Sequence, residues 1–133
     1  MIVAVFRRRL REGSTYADFL REQEDDPGFS VPTRVFNSVN LSNDREIFTL
    51  AFLPVTPKEL AEGQTILAEE IANRVQRISQ VVESVEYENI FEVHTELDFS
   101  QGPIEISVGG SDSLLGPLEV MRESMERQGR FLL

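Results

Sequence analysis

The 133-residue sequence lacks cysteine and tryptophan and has a single histidine. Without cysteine, the chain cannot form a disulfide, present a thiol nucleophile or bind a metal through thiolates. No apolar run approaches the ~20 residues that a membrane-spanning helix needs. The opening residues, Met1 followed by apolar residues and then arginines, reverse the charge order of a secretory signal. We therefore expect a cytoplasmic protein without a membrane partner.

The formal net charge of the chain is −10. Such a charge repels a phosphate backbone, and the one basic cluster, between Arg7 and Arg11, falls at the end of a predicted strand. We therefore expect no nucleic-acid partner. The sequence also contains no Gly-rich phosphate loop, no Gly-x-Ser-x-Gly elbow and no His-Glu-x-x-His pair, so nothing indicates a nucleotide site or a zinc hydrolase.

Hydrophobic periodicity divides most of the chain into alternating strands and helices. A strand is predicted over residues 2–10, followed by a short helix that Ser14 or Thr15 caps and residues 25–28 end. Strands over 34–41 and 46–53, joined by a turn at 42–45, form a predicted hairpin. A helix begins at Thr56 and continues to about residue 82, and a strand covers 85–99. This order is the split βαβ plan of an α+β, ferredoxin-like fold, in which helices cover one face of an antiparallel sheet.

The second hairpin strand is apolar on both of its faces. Phe48, Leu50 and Phe52 alternate with Ile47, Ala51 and Leu53, and only Thr49 interrupts the pattern with a polar group. The helices of one subunit cover only one sheet face, so the other needs a partner, and a symmetric second copy is the commonest solution. We therefore expect a homodimer.

Residues 1–99 complete the ferredoxin-like unit, and residues 100–133 form a predicted C-terminal extension. The extension contains a short strand over 104–108 and a helix that begins near Pro117 and ends at Gly129. We expect it to pack on the domain or on the partner subunit.

Four segments carry a resemblance to a known family: residues 2–6 (IVAVF), 26–30 (DPGFS), 34–38 (RVFNS) and 46–52 (EIFTLAF). Through them, residues 1–99 resemble the dimeric α+β barrel superfamily, and most closely its branch similar to antibiotic-biosynthesis monooxygenases. The resemblance implies two sheets packed face to face and a cleft between each sheet and its helices. Monooxygenase members often use an Asn, a Trp and an Arg, and haem-degrading relatives use an Asn, a Trp and a helix-borne His. This chain departs from both patterns, because it has no tryptophan and its histidine falls on a predicted strand.

His94 and Asn37 are the candidate catalytic residues. Histidine is the side-chain type best suited to acid–base work near neutral pH, and Glu92 and Glu96 share the predicted strand face of His94, where they could join it around a metal. Further metal ligands are missing, so a solvated strand face is the alternative interpretation. We assign no metal and no cofactor.

The candidate substrate-binding residues are Thr49, Phe36, Phe48 and Phe52. If Asn37 and Thr49 face the cleft, they could orient an oxygen of a ligand while the phenylalanines form apolar walls. Alternatively, Asn37 satisfies a backbone group.

These observations favour a barrel that binds a small apolar, oxygen-bearing ligand, with cofactor-independent oxygenase or isomerase activity as a narrower hypothesis. The alternative is a non-catalytic dimer that engages another protein through its C-terminal helix. A haem or metal binder is disfavoured, because the sequence offers too few ligands.

Overall fold

Six strands and four helices follow one another along the chain, and the computed structural model describes all 133 residues. In order they are β1 (Ile2–Leu10), α1 (Tyr16–Glu24), β2 (Arg34–Asn40), β3 (Asn43–Leu53), α2 (Pro57–Ile66), α3 (Ala68–Ile78), β4 (Val82–Glu92), β5 (Glu96–Asp98), β6 (Ile104–Ile106) and α4 (Gly116–Arg127). None of the four helices combines the length and apolarity needed to cross a membrane.

The first four long strands form one antiparallel sheet in the order β2-β3-β1-β4. The predicted α+β class is confirmed, and this sheet is compatible with the ferredoxin-like plan. Strand β1 lies in the centre of the sheet because it pairs with β3 on one side and β4 on the other.

Two threonine capping boxes fix where α1 and α2 begin, as the sequence predicts. The hydroxyl oxygen of Thr15 accepts from the Asp18 backbone N–H, and the Asp18 carboxylate accepts from the Thr15 N–H. Thr56 and Glu59 make the same exchange, with a proline at the first helical position. Each box satisfies two donors that the first helical turn would otherwise leave unpaired.

The core on the helix side of the sheet is small. It centres on Leu10, Phe19, Ile47 and Val82, against which Tyr16, Ile78 and Val81 pack. Only 14 of the 133 residues are buried, so the helices cover the sheet incompletely.

The opposite face of the sheet is apolar and has no covering layer. Its side chains alternate with the helix-side ones, and none of its eight large apolar residues is buried. They are Val3, Val5, Phe36, Phe48, Leu50, Phe52, Tyr87 and Phe91. The exposed fraction reaches 50% for Phe36 and 45% for Phe91. We call this surface the open face.

The predicted single helix after Thr56 is in fact two helices. The helix is interrupted at Leu67, whose φ of −103° and ψ of 18° lie outside the helical range. No side chain caps the start of α3. The β-branched residues Thr65 and Ile66 precede the break, and such residues lose side-chain freedom in a helix. Gly63 lies inside α2 and does not interrupt it.

Two strand boundaries also differ from the predictions. The hairpin turn is shorter, because the side chain of Asn40 accepts the Ser42 N–H and β3 already begins at Asn43. The predicted strand 85–99 is divided into β4 and β5. Its pairing partner β1 begins at Ile2, which lies opposite Glu92, and beyond one further hydrogen bond from the Val93 N–H to the Met1 carbonyl no chain is left to pair with.

Residues 100–133 contact the preceding part of the chain at several places. Strand β6 pairs with β5, so the two segments on either side of residue 99 share a small sheet. Arg122 on α4 donates to the Pro54 carbonyl and to both carboxylate oxygens of Glu59 at 2.7 Å. The chain end returns to the domain, where the Leu132 N–H donates to the Ser30 carbonyl.

Candidate functional site

A row of side chains crosses the helix side of the sheet and brings two predicted site residues together. Strand register places Asn37, Thr49, Phe6 and Glu88 opposite one another on the four successive strands. Cross-strand partners in an antiparallel sheet lie on the same face, so these four residues share the side that carries the helices.

Asn37 and Thr49 belong to a chain of hydrogen bonds that ends on α1. The Thr49 hydroxyl donates to Asn37 Oδ1 at 2.8 Å, and Asn37 Nδ2 donates to Gln23 Oε1 at 2.6 Å. Thr49 is only 3% exposed. The partners of the Asn37 side chain are therefore side chains, not the backbone group of the alternative interpretation. Each of the two amides retains N–H groups that can donate to a ligand oxygen.

Arg8 lies one row away on β1 and is the most unusual residue of this layer. It is 9% exposed, and its Nη1 atom is buried without a hydrogen-bond partner. The guanidinium carbon lies 4.2 Å from the centre of the Phe6 ring and 5.8 Å from that of Phe19. Burial lowers the pKa of Arg8, and the negative charge of Glu88 opposes this shift. An arginine nevertheless keeps its charge in proteins.

The sheet is uncovered immediately beside Arg8. Val85, which lies opposite Arg8 on β4, is 50% exposed, and Ile90, opposite Ala4, is 39% exposed. Both pair with helix-side residues of β1, yet no helix covers them. We call Phe6, Arg8, Phe19, Val85 and Glu88 the Arg8 site. It consists of a buried cation, two aromatic rings and an exposed apolar edge.

No family model, curated protein or solved structure matches this chain. The resemblance to the dimeric α+β barrel superfamily therefore rests on the quoted segments alone.

The three predicted aromatic wall residues do not line this layer. Phe36, Phe48 and Phe52 lie on the open face, because they alternate along their strands with the helix-side residues. Phe36 and Phe52 make an edge-to-face contact there, with ring centres 6.0 Å apart. Within one subunit they are separated by the sheet from Asn37 and Thr49.

His94 also lies apart from Asn37 and Thr49. It follows β4 in an irregular segment rather than on a strand, its side chain is 80% exposed, and its Nε2 atom is 3.8 Å from the Glu92 carboxylate. Glu96 is directed elsewhere, since its carboxylate accepts from the Ser113 hydroxyl and the Leu114 N–H. The predicted cluster of His94 with both glutamates is therefore not assembled, and no three potential metal ligands lie together.

The position of Arg8 in the sequence indicates that it is unusual, because it is the one charged residue on an apolar strand face. Arg8 shares a strand face with Ile2, Ala4, Phe6 and Leu10, and a charged residue in such an apolar series marks either a bulge or a buried charge. Gln23 and Phe19 could not be assigned to this layer, because their positions depend on how α1 packs on the sheet. Two surface depressions lie elsewhere, one beside α4, lined by glycines and a mixture of polar and apolar side chains, and one beside α3, lined mainly by polar residues.

Proposed function

We propose that this protein is a homodimer that binds a small, largely apolar, oxygen-bearing molecule between its sheet and its helices. The observation that carries the proposal is the buried Arg8 guanidinium, which has an unpartnered nitrogen beside an uncovered strand edge. Buried polar groups in native proteins are almost always satisfied, so an unsatisfied one next to exposed apolar side chains is the group that we expect a ligand to satisfy. The amides of Asn37 and Gln23 supply further donors in the same layer.

The open face supports the homodimer. Eight large apolar side chains on one sheet face exceed what a monomeric protein usually leaves uncovered. The charged residues that the strand pairing and the Arg9–Glu86 ion pair place on that face are three arginines and two glutamates, whose charges sum to +1 in a chain of −10. They are Arg7, Arg9, Arg34, Glu46 and Glu86. A second copy can therefore approach through this face without the repulsion that the rest of the acidic surface imposes.

Small aromatic probes test ligand binding directly. The isotope-labelled protein is titrated with 2-naphthol, 2-naphthoate and 2-naphthamide while backbone amide resonances are followed. The proposal predicts that at least one probe shifts the resonances of Thr49, Phe6 and Arg8 in a saturable manner. If no probe shifts them, or if only residues of the open face respond, the proposed binding site is wrong.

Cofactor-independent oxygenation is the narrower form of the proposal. It is supported by the resemblance of residues 1–99 to antibiotic-biosynthesis monooxygenases and by the polar group of Asn37 within the layer. Oxygen uptake with 1-naphthol as substrate is the measurement. We expect Asn37→Ala to abolish uptake and His94→Ala to leave it unchanged, because the His94 side chain is exposed and lies apart from Asn37. The absence of uptake in the unmodified protein would contradict oxygenase activity with that phenol.

The alternative, a protein-interaction module built on α4, is favoured by one observation. Leu114 just before this helix is 91% exposed, and Val120 and Met121 on it are 64% and 53% exposed. A photo-crosslinking residue at position 121 tests this. The alternative predicts one adduct of constant mass with a different protein in cells, together with no response to any naphthyl probe. The main proposal predicts no such adduct and a saturable response to at least one naphthyl probe.

A further inference from the structure

We propose that the Arg8 site binds the carboxylate of a planar aromatic acid. This inference rests on the proposed function, since it names the class of molecule that the layer between sheet and helices takes. Its basis is the geometry of one buried guanidinium and of the groups around it.

The guanidinium of Arg8 has no acceptor of its own in the protein. Its Nη1 is buried without a partner, and no carboxylate lies within ion-pair distance of the side chain. A guanidinium presents five N–H donors in a rigid planar fork, which matches the two oxygens of a carboxylate. A ligand carboxylate therefore supplies the charge and the two acceptors that the site lacks.

The protein's own carboxylates do not satisfy Arg8. The negative charge of Glu88 partly offsets the lowering of the Arg8 pKa by burial. The Glu88 side chain is nevertheless exposed and makes no hydrogen bond to the guanidinium. On α1, Asp18 pairs with Arg21 and caps the helix, and after α1 Asp26 pairs with Arg74 and Arg77. Glu88 is thus the one competing anion, and its removal becomes an informative test.

The surroundings of Arg8 favour an aromatic body on the ligand. The Phe6 and Phe19 rings have their centres 4.2 and 5.8 Å from the guanidinium carbon, and Val85 and Ile90 on the neighbouring strand are apolar and exposed. A flat ring attached to the carboxylate covers these side chains while the charged end reaches the arginine. Most of the binding surface for a small ligand is apolar, with few placed polar groups.

Dissociation constants for 2-naphthoate and its neutral isostere 2-naphthamide test the inference. Both are measured by calorimetry with the full chain and with the variants Arg8→Met, Arg8→Lys, Glu88→Gln and, as a matched loss of one positive charge, Arg127→Met. A charge-assisted pair of hydrogen bonds predicts a preference for the acid of about tenfold or more. Arg8→Met should abolish this preference and Arg8→Lys should reduce it, because lysine keeps the charge without the fork. Glu88→Gln should strengthen naphthoate binding severalfold, and Arg127→Met should change nothing.

The possible failures are distinguishable. Equal affinity for acid and amide, with saturable shifts at Thr49, overturns the carboxylate assignment and leaves the proposed function intact. A preference for the acid that survives in folded Arg8→Met protein overturns the role of Arg8, as does weaker naphthoate binding in Glu88→Gln. If neither probe binds, the inference is wrong, and the proposed function is wrong as well if 2-naphthol also leaves the resonances of Thr49, Phe6 and Arg8 unshifted.

Discussion

Replacing Arg8 by methionine should make the protein more stable. The change removes the charge and keeps an unbranched side chain between Phe6 and Phe19. An uncompensated buried charge costs about 3–5 kcal/mol, whereas the cation–π contacts of a desolvated guanidinium, here with Phe6 at 4.2 Å and Phe19 at 5.8 Å, return about 2 kcal/mol or more. The difference gives an expected increase of about 1–2 kcal/mol in the free energy of unfolding. For a chain of this length that raises Tm by several degrees.

The measurement is urea unfolding followed by far-ultraviolet circular dichroism at one fixed protein concentration. We expect Arg8→Met to move the midpoint to higher urea with an unchanged slope, and the control Arg127→Met to move it little, because Arg127 is exposed and makes no ion pair. A loss of more than about 1 kcal/mol in Arg8→Met would refute the reasoning. It would mean that the guanidinium finds a partner in solution, with Glu88 as the nearest candidate.

Three further changes probe the rest of the fold. Hydrogen bonds from Arg122 on α4 and from the Thr56 backbone lower the pKa of Glu59 from 4.5 to about 2. The contribution of ionised Glu59 to the stability of the fold is therefore complete above pH 4.5 and is lost as the pH falls toward 2. Glu59→Gln should therefore cost about 2–3 kcal/mol at pH 7 and much less near pH 3, by urea unfolding at both values. Gly116→Ala should cost about 1–3 kcal/mol in thermal unfolding, since the added carbon would collide with the Gly110 carbonyl. Thr49→Val should cost about 1–2 kcal/mol in chemical unfolding, because it leaves Asn37 Oδ1 without its donor.

Local signals in the sequence were sufficient to predict where the main elements lie. Thr15 and Thr56 mark helix starts through capping boxes, which depend only on residues three positions apart. Runs of branched and aromatic residues along 2–10 and 46–53 predicted two strands, and the turn residues between the hairpin strands predicted their pairing. The break at Leu67 was missed because the apolar stripe continues across it, and the end of β4 was missed because it depends on where β1 begins.

The candidate site was predicted only in part. Asn37 and Thr49 were recognised as polar groups in apolar strands, and the structure joins them directly. The phenylalanines were assigned to the same wall, although the period of two along a strand places residues of neighbouring number on opposite faces. Arg8 acquires its significance only from the packing of Phe19 over it and from the absence of an acceptor. Both are tertiary facts that no local pattern encodes.

The oligomeric state of the purified chain tests the central claim, that a second copy covers the open face. Sedimentation equilibrium is measured at micromolar concentration for the unmodified protein, for Leu50→Glu in the middle of that face, and for Leu41→Glu at the fully exposed hairpin turn. We predict twice the mass of one chain for the unmodified protein and for Leu41→Glu, and the mass of one folded chain for Leu50→Glu. A single-chain mass for the unmodified protein at every concentration would contradict the account.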